Sequence, residues 1–288
     1  MTAVARSSAD WGAPVPPRTG PHLVDVLIPT CDRPTELAVT LSGLAAQTDA
    51  DLGVVISDQS SQPVADHTGV APMLTLLTAQ GRSVRVERNL PRRGMAQQRQ
   101  RLLDLSEAPR VLYLDDDVWL EPGTIARMLT ALEDNGCGFI GSAVQGLSFL
   151  DDRRPGEWEE FAEWEGRVEP ETLTRTAEEL DRWKLHNAAN LCHIAVERGY
   201  TTPRTYHVAW VGGCVLFDRA KLVEAGGFEF WDQVPRNHVG EDVWAQWQVM
   251  RRFGGAGLIP SGAVHLESPT TLPRRDHEVA EVLEPETA

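Results

Sequence analysis

Long apolar runs are missing from this chain. Nowhere do about 18 apolar residues follow one another, so no membrane-spanning helix is expected. The opening MTAVARSSADWGAPVPPRTG lacks the apolar core of a secretory signal. Cysteine is scarce. Cys31, Cys137, Cys192 and Cys214 stand far apart without a CxxC pair, which argues against a disulfide framework or cysteine zinc site and predicts free thiols in a reducing cytoplasm. Basic residues are in deficit: 27 Lys plus Arg face 42 Asp plus Glu, a formal charge of −15 over 288 residues. That balance argues against affinity resting on a phosphate backbone, so no nucleic-acid partner is expected. It also disfavours anionic membranes, although peripheral attachment to a lipid-linked acceptor stays open. Internal repeats and the alternating D-x-D-x-D-G calcium loop are absent as well.

What is present is alternation. Residues 1–22, rich in proline and small polar residues, read as a disordered arm. From there LVDVLI (23–28), LGVVIS (52–57), SVRVE (83–87) and RVLYL (110–114) read as strands. Between and after them, residues 35–47, 94–106 and 122–136 have helical spacing, the last opening with Pro and closing with Gly. Strands and helices at this interval predict βαβ units around a largely parallel sheet. The second half brings a charged, Trp- and Glu-rich insertion (151–206) with helical patches, a strand at 208–217 and a short helix after it. A helix at 240–255 and closing strands within 256–267 complete it. Residues 268–288 read as a flexible acidic tail with one short helix near 276–283. The length suits one enlarged domain over 23–267, with a nucleotide-binding half (23–120) and an acceptor half (121–267).

Several residue groups could carry chemistry. Asp115, Asp116 and Asp117 directly follow an apolar strand, where open parallel sheets collect ligands. Three adjacent carboxylates repel one another unless a cation neutralises them, and hard oxygen ligands suit Mg²⁺ or Mn²⁺ shared with substrate phosphates. The bland alternative is a solvated acidic turn. Glu241 and Asp242 open an amphipathic helix behind Gly240, which fits either an ordinary cap or a general base aimed into a cleft. His265, in the strand AVHLE, is either structural or an additional metal ligand. Arg92, Arg93, Arg99 and Arg101 offer local cations to a diphosphate. Seven of the nine tryptophans lie in the second half; Trp158, Trp210 and Trp231 are candidates for a pocket wall, whereas Trp164, Trp244 and Trp247 have core spacing.

Taken in order, these motifs resemble the glycosyltransferase family 2 enzymes of the GT-A fold over roughly residues 23–267. VDVLIPTCDRPTELAVTLSGLAAQT is similar to the family's opening strand, turn and helix, and VVISDQSS to its second strand and acidic turn. VLYLDDDVWLEPG is similar to the DxD segment, GEDVWAQWQVMRRFG to the "ED" helix, and GAVHLE to the late histidine. The resemblance implies an α/β GT-A (Rossmann-like) single domain, with a mostly parallel sheet flanked by helices and a helical acceptor-side insertion. It further implies that Asp58 hydrogen-bonds the nucleotide base, bordered by Pro29, Thr30 and Asp32, with Arg93 or Arg99 supporting the nucleotide. Asp115 and Asp116 would face the ribose and the metal's water shell, Asp117 would ligate the metal, and His265 would assist with metal or diphosphate. Asp242 would be the catalytic base, with Glu241 beside it, and Trp210, Gly212, Gly213 and Trp231 would fall on the acceptor side.

The expected activity is therefore metal-dependent hexosyl transfer, with inversion, from a nucleoside-diphosphate sugar to an acceptor hydroxyl. Cys31 replaces a usual aromatic, Ser57 a usual acid and Gln59 a usual glycine. These departures leave the base open among UDP-, GDP- and dTDP-sugars, with UDP-sugar the first expectation. Two rivals remain in view. A sugar-nucleotide nucleotidyltransferase would place a glycine-rich loop after the first strand, where this chain has PTCDRP, and a silent sugar-nucleotide or carbohydrate-binding module has little need of both acidic motifs.

Overall fold

The computed structural model describes residues 5–176, 178–186, 190–270 and 276–284. In chain order the first half runs β1 (Val24–Thr30), α1 (Pro34–Ala45), β2 (Leu52–Asp58), α2 (Val70–Ala79), β3 (Val84–Arg88), α3 (Met95–Leu105), β4 (Arg110–Leu114), β5 (Val118–Leu120) and α4 (Thr124–Asn135). The second half runs β6 (Phe139–Gly141), β7 (Gln145–Gly146), α5 (Asn190–Glu197), β8 (Arg204–Tyr206), β9 (Cys214–Asp218), α6 (Arg219–Glu224), β10 (His238–Val239), α7 (Glu241–Phe253), β11 (Gly255–Ile259), β12 (Ala263–His265), β13 (His277–Glu278) and α8 (Val279–Leu283).

Eight of the strands form one sheet in the order β3-β2-β1-β4-β9-β6-β11-β8. The β3-β2-β1-β4 half is parallel, as the alternation predicts. Beyond β4 the sheet is mixed, because β9 runs antiparallel to both β4 and β6, and β8 antiparallel to β11. Alternate side chains feed two cores on opposite faces. In β4, Val111 and Tyr113 join one cluster while Leu112 and Leu114 join the other. The β4 strand is thus buried on both sides, and its chain emerges at Asp115 where the sheet ends.

Four expectations change in detail. The strand read at 208–217 is paired only over Cys214–Asp218. The preceding backbone is satisfied by α7 instead: the Gln246 amide bonds both the N–H and C=O of Val211 at 2.8 Å, and Trp247 Nε1 donates to Ala209 O. The insertion contains two 3-10 segments, Pro155–Glu160 and Glu178–His186, with α5 as its α-helix among the described residues. Within the N-terminal stretch expected to be disordered, Arg6 N donates to Gln80 O, Arg18 pairs with Asp51, and His22 bridges Asp51 and Ser83. In the expected tail, β13 pairs in parallel with β10, and Val279 is fully buried. The four cysteines are all free thiols.

Candidate active site

A cleft of about 610 Å³ opens where β1, β4 and β12 end and α7 begins. Asp115, Asp116 and Asp117 leave β4 into it, with Asp115 N–H held by Gly213 O at 2.9 Å. His265 is delivered by strand register. It lies opposite Val118 in the antiparallel β12–β5 pair, and Leu266 N–H donates to Asp117 O. Its Nε2 stands 3.5 Å from Asp117 Oδ2. Glu241 and Asp242 arrive on the first turn of α7, behind Gly240 at φ +78°, a left-handed conformation that glycine adopts freely. The acids also suit the positive end of that helix. Pro29, Thr30, Arg99 and Trp210 complete the predicted residues on the wall.

Arg99 joins the two acidic groups. Its Nε donates to Glu241 Oε1 at 3.0 Å and its Nη2 to Asp115 Oδ1 at 3.3 Å, while Tyr113 Oη donates to its backbone carbonyl. It is therefore a strut between β4 and α7. Sequence reading missed Arg33, whose Nη1 lies 2.7 Å from Asp117 Oδ2 and 3.2 Å from Asp116 Oδ1. The signal available was a cation at the end of the first strand, directly before the α1 proline. Gln98 was missed too; it clamps the ends of β2 and β1 by donating to Ser57 O at 2.7 Å and Thr30 O at 3.3 Å. So was His238, whose Nε2 accepts Ala96 N–H while Nδ1 faces Pro235 O at 2.7 Å. That pattern fixes a neutral ring, and it pins β10 to the start of α3.

Other predicted residues lie off the cleft wall. Asp58 is fully buried, its oxygens taken by Ser60 N–H, Val64 N–H and Arg88. Asp32, at φ +56°, accepts from Ser61 and Arg92 and borders a separate hollow. Arg93 is exposed, Trp231 packs against the core, Gly212 lies beneath the Trp210 ring, and Gly213 faces a small internal space next to Asp242.

The electrostatics separate the carboxylates. Burial pushes Asp116 up to about 7, reinforced by Asp117 and Asp115 and opposed by the Thr30 hydroxyl (2.7 Å) and Arg33. Burial also acts to raise Asp117, yet His265 and Arg33 hold it below the usual carboxylate range. His265 is raised, first by its hydrogen bond to Asp117. Asp242 is pushed up to about 7 by burial and then by the Glu241 charge, against the pull of Arg99. An acid poised there can take a proton near neutrality.

Among the described residues, no three His, Cys, Asp or Glu side chains stand close enough to hold a metal unaided. The donor set nevertheless fits a hard divalent ion shared with phosphate oxygens. Asp115, Asp116, Asp117, Glu241, Asp242 and Glu278 outnumber Arg33 and Arg99 on one wall, and Asp117 with His265 offers a carboxylate and an imidazole. In this conformation Glu267 N–H donates to His265 Nδ1 at 3.1 Å, so Nε2–H faces Asp117. Cation uptake at Nε2 would displace that proton.

A family model described as "Glycosyl transferase family 2" matches residues 25–195. The chain is 33% identical over 132 residues to galactofuranosyltransferase GlfT2 of Mycolicibacterium smegmatis, covering 44% of this chain and 20% of that protein. The Mycobacterium tuberculosis GlfT2 is 31% identical over the same extent. The matched region thus spans about a fifth of these relatives' length. Among solved structures, mannosyltransferase PcManGT from Pyrobaculum calidifontis, in complex with GDP-Man and Mn²⁺, aligns at TM-score 0.56 and 17% identity, covering 92% of this chain and 64% of that one. S. aureus TarS 1–349 aligns at TM-score 0.55 and 12% identity, covering 84% and 60%. At these identities the structural likeness bears on the fold, which is that of the GT-A glycosyltransferases. No helix among the described residues is long and apolar enough to cross a membrane.

Proposed function

Because the chain belongs to glycosyl transferase family 2, we propose that it transfers a sugar from a nucleoside-diphosphate sugar to an acceptor hydroxyl, with Asp242 as general base and inversion at the anomeric carbon. The observation that carries this reading is the convergence, in one cleft, of the triple carboxylate, the head of α7 and His265. UDP-sugar is the first donor to test. GDP-sugars follow, since solved structures of the same fold include complexes with UDP-GlcNAc and with GDP-Man, and dTDP-sugars come after them.

Each residue has a task that its surroundings support. Pro29 and Thr30 border the nucleotide, and Gln98 keeps the ends of β1 and β2 in register beneath it. Asp115 and Asp116 face the ribose side. Arg33, now on Asp116 and Asp117, is a forked cation within reach of entering phosphate oxygens. A divalent cation, Mn²⁺ or Mg²⁺, held by Asp117 and His265 would supply charge neutralisation to the departing diphosphate. Asp242 takes the proton from the acceptor hydroxyl as that oxygen attacks the anomeric carbon from the face opposite the leaving group. Inversion follows from this single displacement. Glu241 keeps Asp242 basic through like charge, and Arg99 fixes Glu241.

The test is a thermal-shift and turnover screen with UDP-, GDP- and dTDP-sugars, with and without Mn²⁺. Asp117→Ala should lose the metal-dependent shift. Asp242→Asn should keep it while transfer falls by about 10²–10⁴-fold. Transfer at the normal rate by Asp242→Asn would refute the base assignment, and pyrophosphate release in place of nucleoside diphosphate would point to nucleotidyl transfer.

A further inference from the structure

Beyond Asp242 the cleft continues into a second cavity of about 390 Å³, with Trp210, Gly240, Val243 and Glu278 shared between the two. The rest of its wall is mostly apolar: Leu180, Trp183, Trp247, Val279 and Ala280. Trp183 is 46% exposed, a large indole left open to solvent beside this space. Among the described residues, the charged side chains on the wall are Arg175 and Glu278, and Arg175 is engaged by Glu281 at 2.8 Å. Two segments outside the main sheet supply half of this wall. One is the 3-10 segment Glu178–His186; the other is β13–α8, set by the pairing of Val239 with Glu278.

Composition decides what such a space can take. A second sugar ring would bring several hydroxyls against described residues that offer few polar partners, and each unpaired hydroxyl would lose its hydration without return. An aryl or alkyl group loses nothing on entry and covers the exposed indole. The volume lies within the usual range for ligand pockets, about 300–1,000 Å³. Resting on the transferase reading above, we infer that this cavity is an aglycone subsite. It binds the apolar group of a glycoside acceptor whose sugar hydroxyl is presented to Asp242. Selectivity for acceptors is then set chiefly by Trp183, outside the nucleotide-binding half.

Saturation-transfer NMR and titration with methyl, phenyl and n-hexyl β-D-glucopyranosides, with UDP and Mn²⁺ present, test this directly. The hexyl or phenyl glycoside should bind at least about tenfold tighter than the methyl one, with strongest saturation on aglycone protons. Trp183→Ala should erase most of that preference and Trp183→Phe retain it, with the shift produced by UDP and Mn²⁺ unchanged in both. Equal binding of the three glycosides, with that shift intact, would overturn the aglycone subsite and leave the transferase reading standing. A preference undiminished in Trp183→Ala would overturn its location. Absence of any shift with UDP, GDP or dTDP and Mn²⁺ would instead bring down the transferase reading, and this inference with it.

Discussion

Arg99 is the residue whose loss should reveal most. Arg99→Met keeps much of the side-chain volume and removes the charge that joins α7 to β4. The Arg99–Glu241 pair is nearly dry, with side chains 8% and 7% exposed. Stripping one partner from such a pair costs about 3–5 kcal/mol, because the remaining charge is buried without compensation. The Asp115 contact adds little, since Asp115 is 39% exposed and pairs in water are worth about 0–1 kcal/mol. At about 2–4 °C per kcal/mol for a chain of this size, melting should fall by roughly 10 °C. A cycle then separates charge from packing. Arg99→Met with Glu241→Gln removes both charges, so the double variant should regain about 2 kcal/mol over Arg99→Met alone. Urea unfolding of the four proteins measures this. If the double variant is as unstable as Arg99→Met, the stranded-charge account of this strut is wrong.

Three further outcomes follow, two from the same cleft and one from the α3–β10 contact beside it. Transfer should rise with pH through about 7 as Asp242 loses its proton, and Glu241→Gln, by removing the neighbouring like charge, should move that limb to lower pH; a limb that stays put would dismiss Asp242 as the titrating base. Elevation of Asp242 means that the folded chain holds this proton more tightly than the unfolded chain, so stability is lost as pH rises from about 4 toward 7. Asp242→Asn should therefore exceed the unsubstituted chain by about 1–3 kcal/mol at pH 8 and by little at pH 4, and equal urea midpoints at pH 8 would contradict it. Gly94→Ala should cost about 1–3 kcal/mol by thermal unfolding, because Gly94 lies at φ +104° and a Cβ there would stand 2.8 Å from His238 Cε1. An unshifted melting temperature would show that His238 is not held as tightly as its two hydrogen bonds imply.

Legibility in the sequence followed locality. The parallel half of the sheet was readable because each strand is a short apolar run followed by a helix with its own periodicity, and β4 was exposed by the acids that end it. Gly240-Glu241-Asp242 was readable for the same reason, as a left-handed glycine and two acids belong where a helix begins. Roles that depend on distant partners were not. Arg33 and Asp117 are 84 positions apart, and Arg99 and Glu241 are 142 apart. Nothing in NLPRRGMAQQRQR distinguishes a strut from a phosphate ligand. Asp58 shows the same limit: an acid at a strand end is equally suited to greet a ligand or to close its own turn, and here it bonds Ser60, Val64 and Arg88.

The C-terminal stretch shows why composition fails at such places. Pro269, Pro273 and the acidic ending read as a tail because two residues of strand and five of helix carry almost no periodic signal. Their order comes from elsewhere. His238 fixes β10 against α3, β10 offers His238 and Val239 as a pairing edge, and β13 takes it, which delivers Val279 and Ala280 to the apolar cavity. Each link is weak alone, and the same β10 leads through Gly240 directly into Glu241 and Asp242. On this wall Trp183, 46% exposed and outside the core, can vary without disturbing the sheet, whereas Val279 and Ala280 belong to the core. Acceptor choice can therefore change there while the donor-side carboxylates stay where β4 puts them.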